Sequence, residues 1–314
     1  MNNTSNTHSN MTSNTNNNTT NNITKDSLFC QQERYLLMVN SKLISNTFIF
    51  LYVFYGVFGI FINTAVFYII YKTNQIRKRS IRLLVYLSVV DVFSSIVCIS
   101  RGVIALYVNT VSCTVLKWGY YLLLLSIYAS GYLFSLVGLD RYLKIKYLEE
   151  YEMKFTNKKL IICLIWYILL VVAQATVGAV FNWDNYIGYA GKYTTPLNLI
   201  EVFVSIFLFV LSTVKLSKYK RSNPSISVTL KSHIKYTSIY MVLFFITQGY
   251  SVFYQIILNI LTLNSTLLFI ILQNFISLVP TITGWINAII FLFINGSSRR
   301  YLKLLLLPSN RVDI

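Results

Sequence analysis

Long apolar runs recur along this chain and are separated by short polar segments. Seven of them reach the roughly 18 residues that a helix needs to cross a bilayer core. We place them at 44–71, 81–107, 114–143, 160–181, 197–216, 234–263 and 267–294. The bilayer interior holds no water to satisfy exposed backbone groups, and the runs lack the two-residue alternation of barrel strands. The pattern therefore predicts an all-α membrane protein, a seven-transmembrane helix bundle.

The same pattern divides the chain into three parts. Residues 1–42 are an Asn/Thr-rich extracellular tail that is expected to be disordered, because its first 24 residues are almost wholly Asn, Thr and Ser and are too polar to fold. Residues 43–296 contain the seven runs, and residues 297–314 follow the last of them.

Composition and charge fix the expected orientation. Hydrophobic residues make up 55% of the chain and charged residues 12%, against roughly 25% charged residues in soluble domains. The net charge of +17 comes from cations in alternate connections rather than from one soluble face, so we expect no nucleic-acid partner. By the positive-inside rule these connections are cytoplasmic, which places the N terminus outside a plasma-membrane protein. The connections contain Lys72, Arg77, Lys78, Arg79 and Arg82; Lys144, Lys146, Lys154, Lys158 and Lys159; Lys215, Lys218, Lys220, Arg221, Lys231 and Lys235; and Arg299, Arg300 and Lys303.

Glycosylation acceptors agree with this orientation. Asn-x-Ser/Thr sequences fall in the tail and between runs six and seven, both on the expected outer side. The acceptors are Asn2, Asn3, Asn10, Asn17, Asn18, Asn22 and Asn264.

Four cysteines are present. Cys98 and Cys163 lie inside apolar runs, where a thiol usually packs as a small apolar group. Cys30 and Cys113 share the expected outer, oxidising side, where they either form a disulfide or remain two thiols.

One acidic residue, Asp91, lies near the middle of the second run between apolar neighbours. A carboxylate at this depth needs a cation or hydrogen-bond donors, or it holds a proton. Asn63, Ser130 and Asn287 lie at similar depth and predict a sodium or proton site with Asp91. We expect no other metal and no further cofactor. The alternative is a neutral aspartic acid in a packing network.

Five motifs in order along the runs resemble those of the rhodopsin-like (class A) G-protein-coupled receptors. They are Asn63, Leu87–Asp91, Asp140–Arg141–Tyr142, Trp166 and the segment Asn287–Phe291. The last is a degenerate Asn-Pro-x-x-Tyr with alanine and phenylalanine at the altered positions. The resemblance covers nearly all of the chain from the first run onwards.

This resemblance implies a signalling mechanism. Arg141 would pair with Asp140 at rest, and helix movement would free it to contact a heterotrimeric G protein. The alternative for Arg141 is an interfacial anchor that reaches the lipid headgroups. The resemblance also implies a short amphipathic helix from about Ser297 to Leu307 that lies on membrane lipid.

The sequence departs from the family's pattern in three places. Span six has Gln248 and Gly249 but no Cys-Trp-x-Pro hinge, and Pro280 in span seven offers an alternative kink. No cysteine lies between spans four and five, so Cys30 would replace that loop as the partner of Cys113. The inner end of span six has no acid to hold Arg141, which predicts raised basal signalling.

A few residues of the apolar runs bear on the class of ligand. Leu123 stands near the position where amine receptors carry an aspartate, and span seven has no lysine for a retinal Schiff base. With Leu123, the polar residues Arg101, Gln174, Glu201, Gln248 and Gln273 predict an outward-facing pocket suited to a peptide such as a neuropeptide. The alternative for each polar residue is one interhelical hydrogen bond.

Two other functions stay open. A transporter of small solutes would predict internal repeats and several mid-membrane charges, of which Asp91 is the clear example. A receptor-like protein that no longer signals would fit the altered motifs. We do not expect an enzyme, because His8 and His233 lie away from membrane depth and cannot serve a nucleophile there.

Overall fold

The computed structural model describes residues 29–37, 42–75, 79–147, 150–184, 188–222 and 266–306, and within these residues there is no β-strand. Helices account for most of them. In chain order they are α1 (29–37), α2 (Lys42–Lys72), α3 (Arg79–Leu106), α4 (Cys113–Tyr147), α5 (Tyr151–Lys154), α6 (Asn157–Asp184), α7 (Gly188–Ser222), α8 (Thr266–Ile294) and α9 (Gly296–Leu306).

Five helices contain segments long and apolar enough to cross a membrane: Lys42–Lys72, Ile81–Leu106, Cys113–Tyr147, Asn157–Val180 and Ile270–Phe293. Helix α7 adds a shorter apolar segment, Val202–Lys215. The all-helical class is confirmed for the described residues, and these segments support a multi-pass membrane protein. The predicted sixth run, 234–263, lies outside the described residues, so seven crossings stay a prediction.

Several helices are longer than the apolar runs that predicted them. Helix α4 continues through Asp140 to Tyr147, and α7 extends on both sides of the predicted span 197–216. Hydropathy reports the part of a helix that matches hydrocarbon, whereas backbone hydrogen bonding continues into the polar ends.

Small residues let α2 and α3 approach closely. A Cβ atom on Gly59 would collide with the Ser95 hydroxyl, and one on Gly102 would lie 3.0 Å from Cβ of Tyr52. Such contacts are a common source of helix association in lipid, where apolar burial gives little net gain. The main core then forms among α2, α3, α4, α6, α7 and α8 from Val66, Ile69, Ile70, Leu84, Leu87, Leu133, Val171, Phe209, Ala288 and Phe291, among others.

A capping residue separates α8 from α9. The Asn295 side-chain oxygen accepts a hydrogen bond from the Ser297 amide at 3.1 Å, which satisfies one free donor at the start of α9. Tyr301 then lies beside Tyr68 of α2, with ring centroids 6.4 Å apart, and its hydrogen bond with Tyr68 raises the pKa of Tyr301. Helix α9 thus lies where the sequence predicts the short amphipathic helix.

Candidate functional site

Asp91 lies at a tight junction between α3 and α8. Its side chain is buried, and a Cβ built on Gly284 would lie 2.7 Å from its Cγ. One turn along α3, the Ser95 hydroxyl donates to the Asp91 carbonyl oxygen at 2.7 Å. Glycine at 284 therefore makes room for a carboxyl group between the two helices.

The other predicted members of this site are buried as well. Asn63 donates from Nδ2 to the Gly59 carbonyl at 3.0 Å, and Gly59 packs on Ser95. Asn287 lies three residues after Gly284, on the same face of α8. These contacts bring α2, α3 and α8 together around Asp91. Ser130 is buried on α4, which packs against α3.

Many polar atoms here lack a protein partner. Among the described residues, no hydrogen bond reaches either carboxylate oxygen of Asp91, Asn63 Oδ1, Ser130 Oγ or the side-chain amide of Asn287. A buried polar group without a partner costs about 1–3 kcal/mol, so several together require something to satisfy them.

A small hard cation fits this set of donors. Five of the atoms are carboxylate, amide or hydroxyl oxygens, which hard cations prefer. Asp91, Asn63, Ser130 and Asn287 would hold the ion, whose charge would neutralise the Asp91 carboxylate. Water with a protonated Asp91 is the alternative.

Asp140, near the C-terminal end of α4, is also buried. The Tyr151 hydroxyl donates a hydrogen bond to Asp140 Oδ1. Tyr151 is buried too and opens α5, a helix in the connection between α4 and α6. The carboxylate therefore ties this connection to the end of α4.

Contacts around α5 position Tyr151. The Phe155 amide donates to the Tyr151 carbonyl at 2.9 Å, and the two rings stack at 6.0 Å. Lys154 forms an exposed ion pair with Glu150 at 2.6 Å, and this hydrogen bond raises the pKa of Lys154. The exposed pair is expected to add little stability. We therefore attribute the position of α5 mainly to the contact between the Tyr151 and Phe155 rings.

Arg141 follows Asp140 in α4, and its side chain lies outside the described part of the structure. Its predicted pairing with Asp140 stays a prediction. Tyr142 is half-buried, and Nζ of Lys215 on α7 lies 5.2 Å from the centre of its ring. Tyr142 therefore contacts the helix that contains the fifth apolar run.

At the opposite end of the bundle, Cys30 and Cys113 form the predicted disulfide, with Cα atoms 5.6 Å apart. Arg101 lies near this end as well. Its guanidinium forms an ion pair with Glu33 of α1 at 3.0 Å, and both side chains are buried. The sequence analysis did not identify Glu33 as a partner.

The structure describes three of the remaining predicted pocket residues, and the pocket that they were predicted to form stays a prediction. Leu123 is buried in α4, and Gln174 accepts a hydrogen bond from the Tyr132 hydroxyl. Gln273 is half-buried, and its carbonyl accepts from Ser277 at 3.0 Å. The Glu201 side chain and Gln248 lie outside the described residues.

Other predicted positions give further detail. Trp166 is 62% exposed on α6, where it would contact lipid. Pro280 lies inside α8. The glycosylation acceptors Asn2, Asn3, Asn10, Asn17, Asn18, Asn22 and Asn264 lie outside the described residues.

Two functional candidates were missed by the sequence analysis. Tyr151 had a usable signal in the sequence. It is an aromatic residue in a connection rich in charged residues, where a large ring indicates a contact with the rest of the protein. Glu33 had a weaker signal: a carboxylate three residues after Cys30 in an otherwise mixed segment. No known protein family's model matches this sequence, and no curated protein is similar to it.

Proposed function

We propose that this chain is a cell-surface receptor of the rhodopsin-like kind, which binds an extracellular ligand and activates a heterotrimeric G protein. The observation that carries the proposal is the buried Asp140, next to Arg141 and hydrogen-bonded by Tyr151. A buried carboxylate at a helix end costs free energy unless it is paired. A lipid anchor at Arg141 would not require a buried carboxylate beside it, whereas a switch that holds and releases the arginine would.

Release of this carboxylate would be the activating step. Tyr151 positions the Asp140 carboxylate, so a movement of Tyr151 or of the end of α4 would weaken the pairing of Asp140 with Arg141 and make the guanidinium available to the G protein. Arginine suits this role because its planar guanidinium stays charged and can donate to several carbonyl oxygens at once. The connection that contains α5 is then part of the coupling surface.

The polar cluster around Asp91 supports the same function. The unpartnered oxygens belong to several packed helices. A small shift of one helix against another would change which of these oxygens can bind the same ion or water molecule. Binding of a cation would favour one arrangement and oppose the other. The cluster would thus connect the outer half of the bundle to the switch at Asp140.

A ligand panel in cells tests the proposal. The full chain, displayed at the surface, is treated with neuropeptides, lipids and odorants while calcium and cAMP are recorded. We expect a peptide response that is lost in Arg141→Ala at equal surface expression. A response to lipids or odorants alone would overturn the peptide preference.

Transport is tested in parallel with labelled solutes. Uptake that persists in Arg141→Ala, without any G-protein response in the parent chain, would contradict the receptor proposal. Uptake and signalling use different readouts, so the two functions are separated in one set of cells.

A further inference from the structure

Helix α1 packs by one side onto the end of the bundle where α3 finishes and α4 begins. Its buried positions follow helical spacing, whereas Tyr35 on the other side is 40% exposed. The buried residues are Phe29, Cys30, Glu33, Leu36 and Leu37. Four are apolar or disulfide-bonded, so the carboxylate of Glu33 is the exception on this face.

Directional contacts hold α1 in one position. The Arg34 guanidinium donates to the carbonyl oxygens of Val108 and Val111 at 2.6 and 2.5 Å. Asn274 of α8 donates to the Leu36 carbonyl at 2.9 Å. With the disulfide at Cys30, these contacts place Glu33 directly over Arg101.

The Glu33–Arg101 pair leaves bonding capacity unused. Oε1 of Glu33 lies 3.0 Å from Nη1 of Arg101. Among the described residues, Oε2 of Glu33 and Nε of Arg101 have no hydrogen-bond partner although both are buried. A carboxylate free to align with the guanidinium would form two parallel hydrogen bonds. The position of α1 therefore keeps the Glu33 carboxylate from forming the two parallel hydrogen bonds with the Arg101 guanidinium that a freely aligned pair would form.

A small cavity adjoins the pair. Its volume is about 10 Å³, close to the space of one water molecule. Glu33, Ser100, Arg101, Gly119 and Tyr120 are among the residues that line it. Without the Glu33 carboxymethyl group, the space beside Arg101 would match an acetate ion in size and charge.

We propose that Arg101 is the centre of a carboxylate-binding site, and that α1 fills this site with Glu33 of the same chain. The planar guanidinium selects a two-oxygen anion over a spherical one. An external ligand of the site would present a carboxylate, such as a free peptide C terminus. This last step rests on the proposed receptor function, whereas the site itself does not.

Chemical rescue of the purified full-length protein tests the site. Glu33→Ala should lower the apparent melting temperature by roughly 5 °C or more, because a buried cation loses its partner. Sodium acetate should restore at least half of the loss, and acetamide or sodium chloride should not. Glu150→Ala is the matched control, because its ion pair with Lys154 is exposed, and acetate should leave it unchanged relative to the parent.

Three results would overturn the proposal: a Glu33→Ala protein as stable as the parent, equal rescue by acetate and acetamide, or equal acetate effects in both variants. If Glu33→Ala does not fold, surface expression in cells decides. The exchanged pair Glu33→Arg with Arg101→Glu should then exceed either single variant, and expression no better than the singles would refute the pairing. None of these readouts requires signalling, so a failure of the receptor proposal leaves them interpretable.

Discussion

Replacing Gly284 by alanine would place a methyl group against the Asp91 side chain. The new Cβ would lie 2.7 Å from Cγ, 2.8 Å from Cβ and 2.9 Å from Oδ1 of Asp91. Ordinary van der Waals contact between such atoms begins near 3.5 Å. Because the Asp91 Cβ atom is fixed by its backbone, rotation of the carboxyl group cannot relieve the whole overlap, and α3 and α8 must move apart.

The magnitude follows from two opposing terms. Overpacking in a close-packed interior costs about 1–3 kcal/mol, and three contacts under 3.0 Å place this variant in the upper part of that range, at about 2–3 kcal/mol. Alanine favours a helix over glycine by about 1 kcal/mol, which offsets part of that cost. At an unfolding entropy of about 2.1 cal/mol/K per residue, a net loss of about 1–2 kcal/mol corresponds to a decrease of roughly 1.5–3 °C in melting temperature for a chain of 314 residues.

Thermal unfolding of the purified protein measures this loss. Gly296→Ala is the matched control, since a Cβ at that glycine would have no heavy atom within 4 Å. We expect the control to remain within about 0.5 kcal/mol of the parent. A Gly284→Ala protein as stable as the parent, or equal shifts in the two variants, would refute the close packing of α8 on Asp91.

Two further predictions concern the cluster and the switch. Replacing choline chloride by sodium chloride should raise the melting temperature of the parent chain but not that of Asp91→Asn; an equal increase in both would exclude a sodium site at this residue. Tyr151→Phe removes a hydrogen bond to a buried carboxylate, worth about 1.5–3 kcal/mol. Because about 1.4 kcal/mol corresponds to a factor of ten, basal nucleotide exchange should rise about tenfold or more. Tyr147→Phe, which keeps the ring that Lys154 contacts at 4.7 Å, is its control, and equal exchange in the two variants would remove Tyr151 from the switch.

The sequence predicts the positions of the apolar helices because transfer into hydrocarbon depends mainly on local composition. Burial of Asp91 and Asp140 was predictable for the same reason, since both adjoin or lie inside long apolar runs. The disulfide was predictable because Cys30 and Cys113 are the two cysteines expected on the oxidising side.

The sequence did not predict which residues from outside the apolar runs pair with the buried charges. Glu33 and Tyr151 reach Arg101 and Asp140 from a terminal segment and from a connection, and no periodicity in those segments specifies where they pack. The role of Gly284 could not be predicted from the sequence either, because it depends on the distance between α3 and α8. Tertiary packing therefore determines which of the buried charges have partners.

The proposed receptor function depends on Arg141 as the residue that couples the helix bundle to a G protein. Nucleotide exchange on purified heterotrimers, with the parent chain and Arg141→Ala reconstituted in equal amounts, measures that coupling without a ligand. We expect the parent to accelerate exchange on at least one heterotrimer and Arg141→Ala not to accelerate it. Equal exchange with both proteins on every heterotrimer would contradict this expectation.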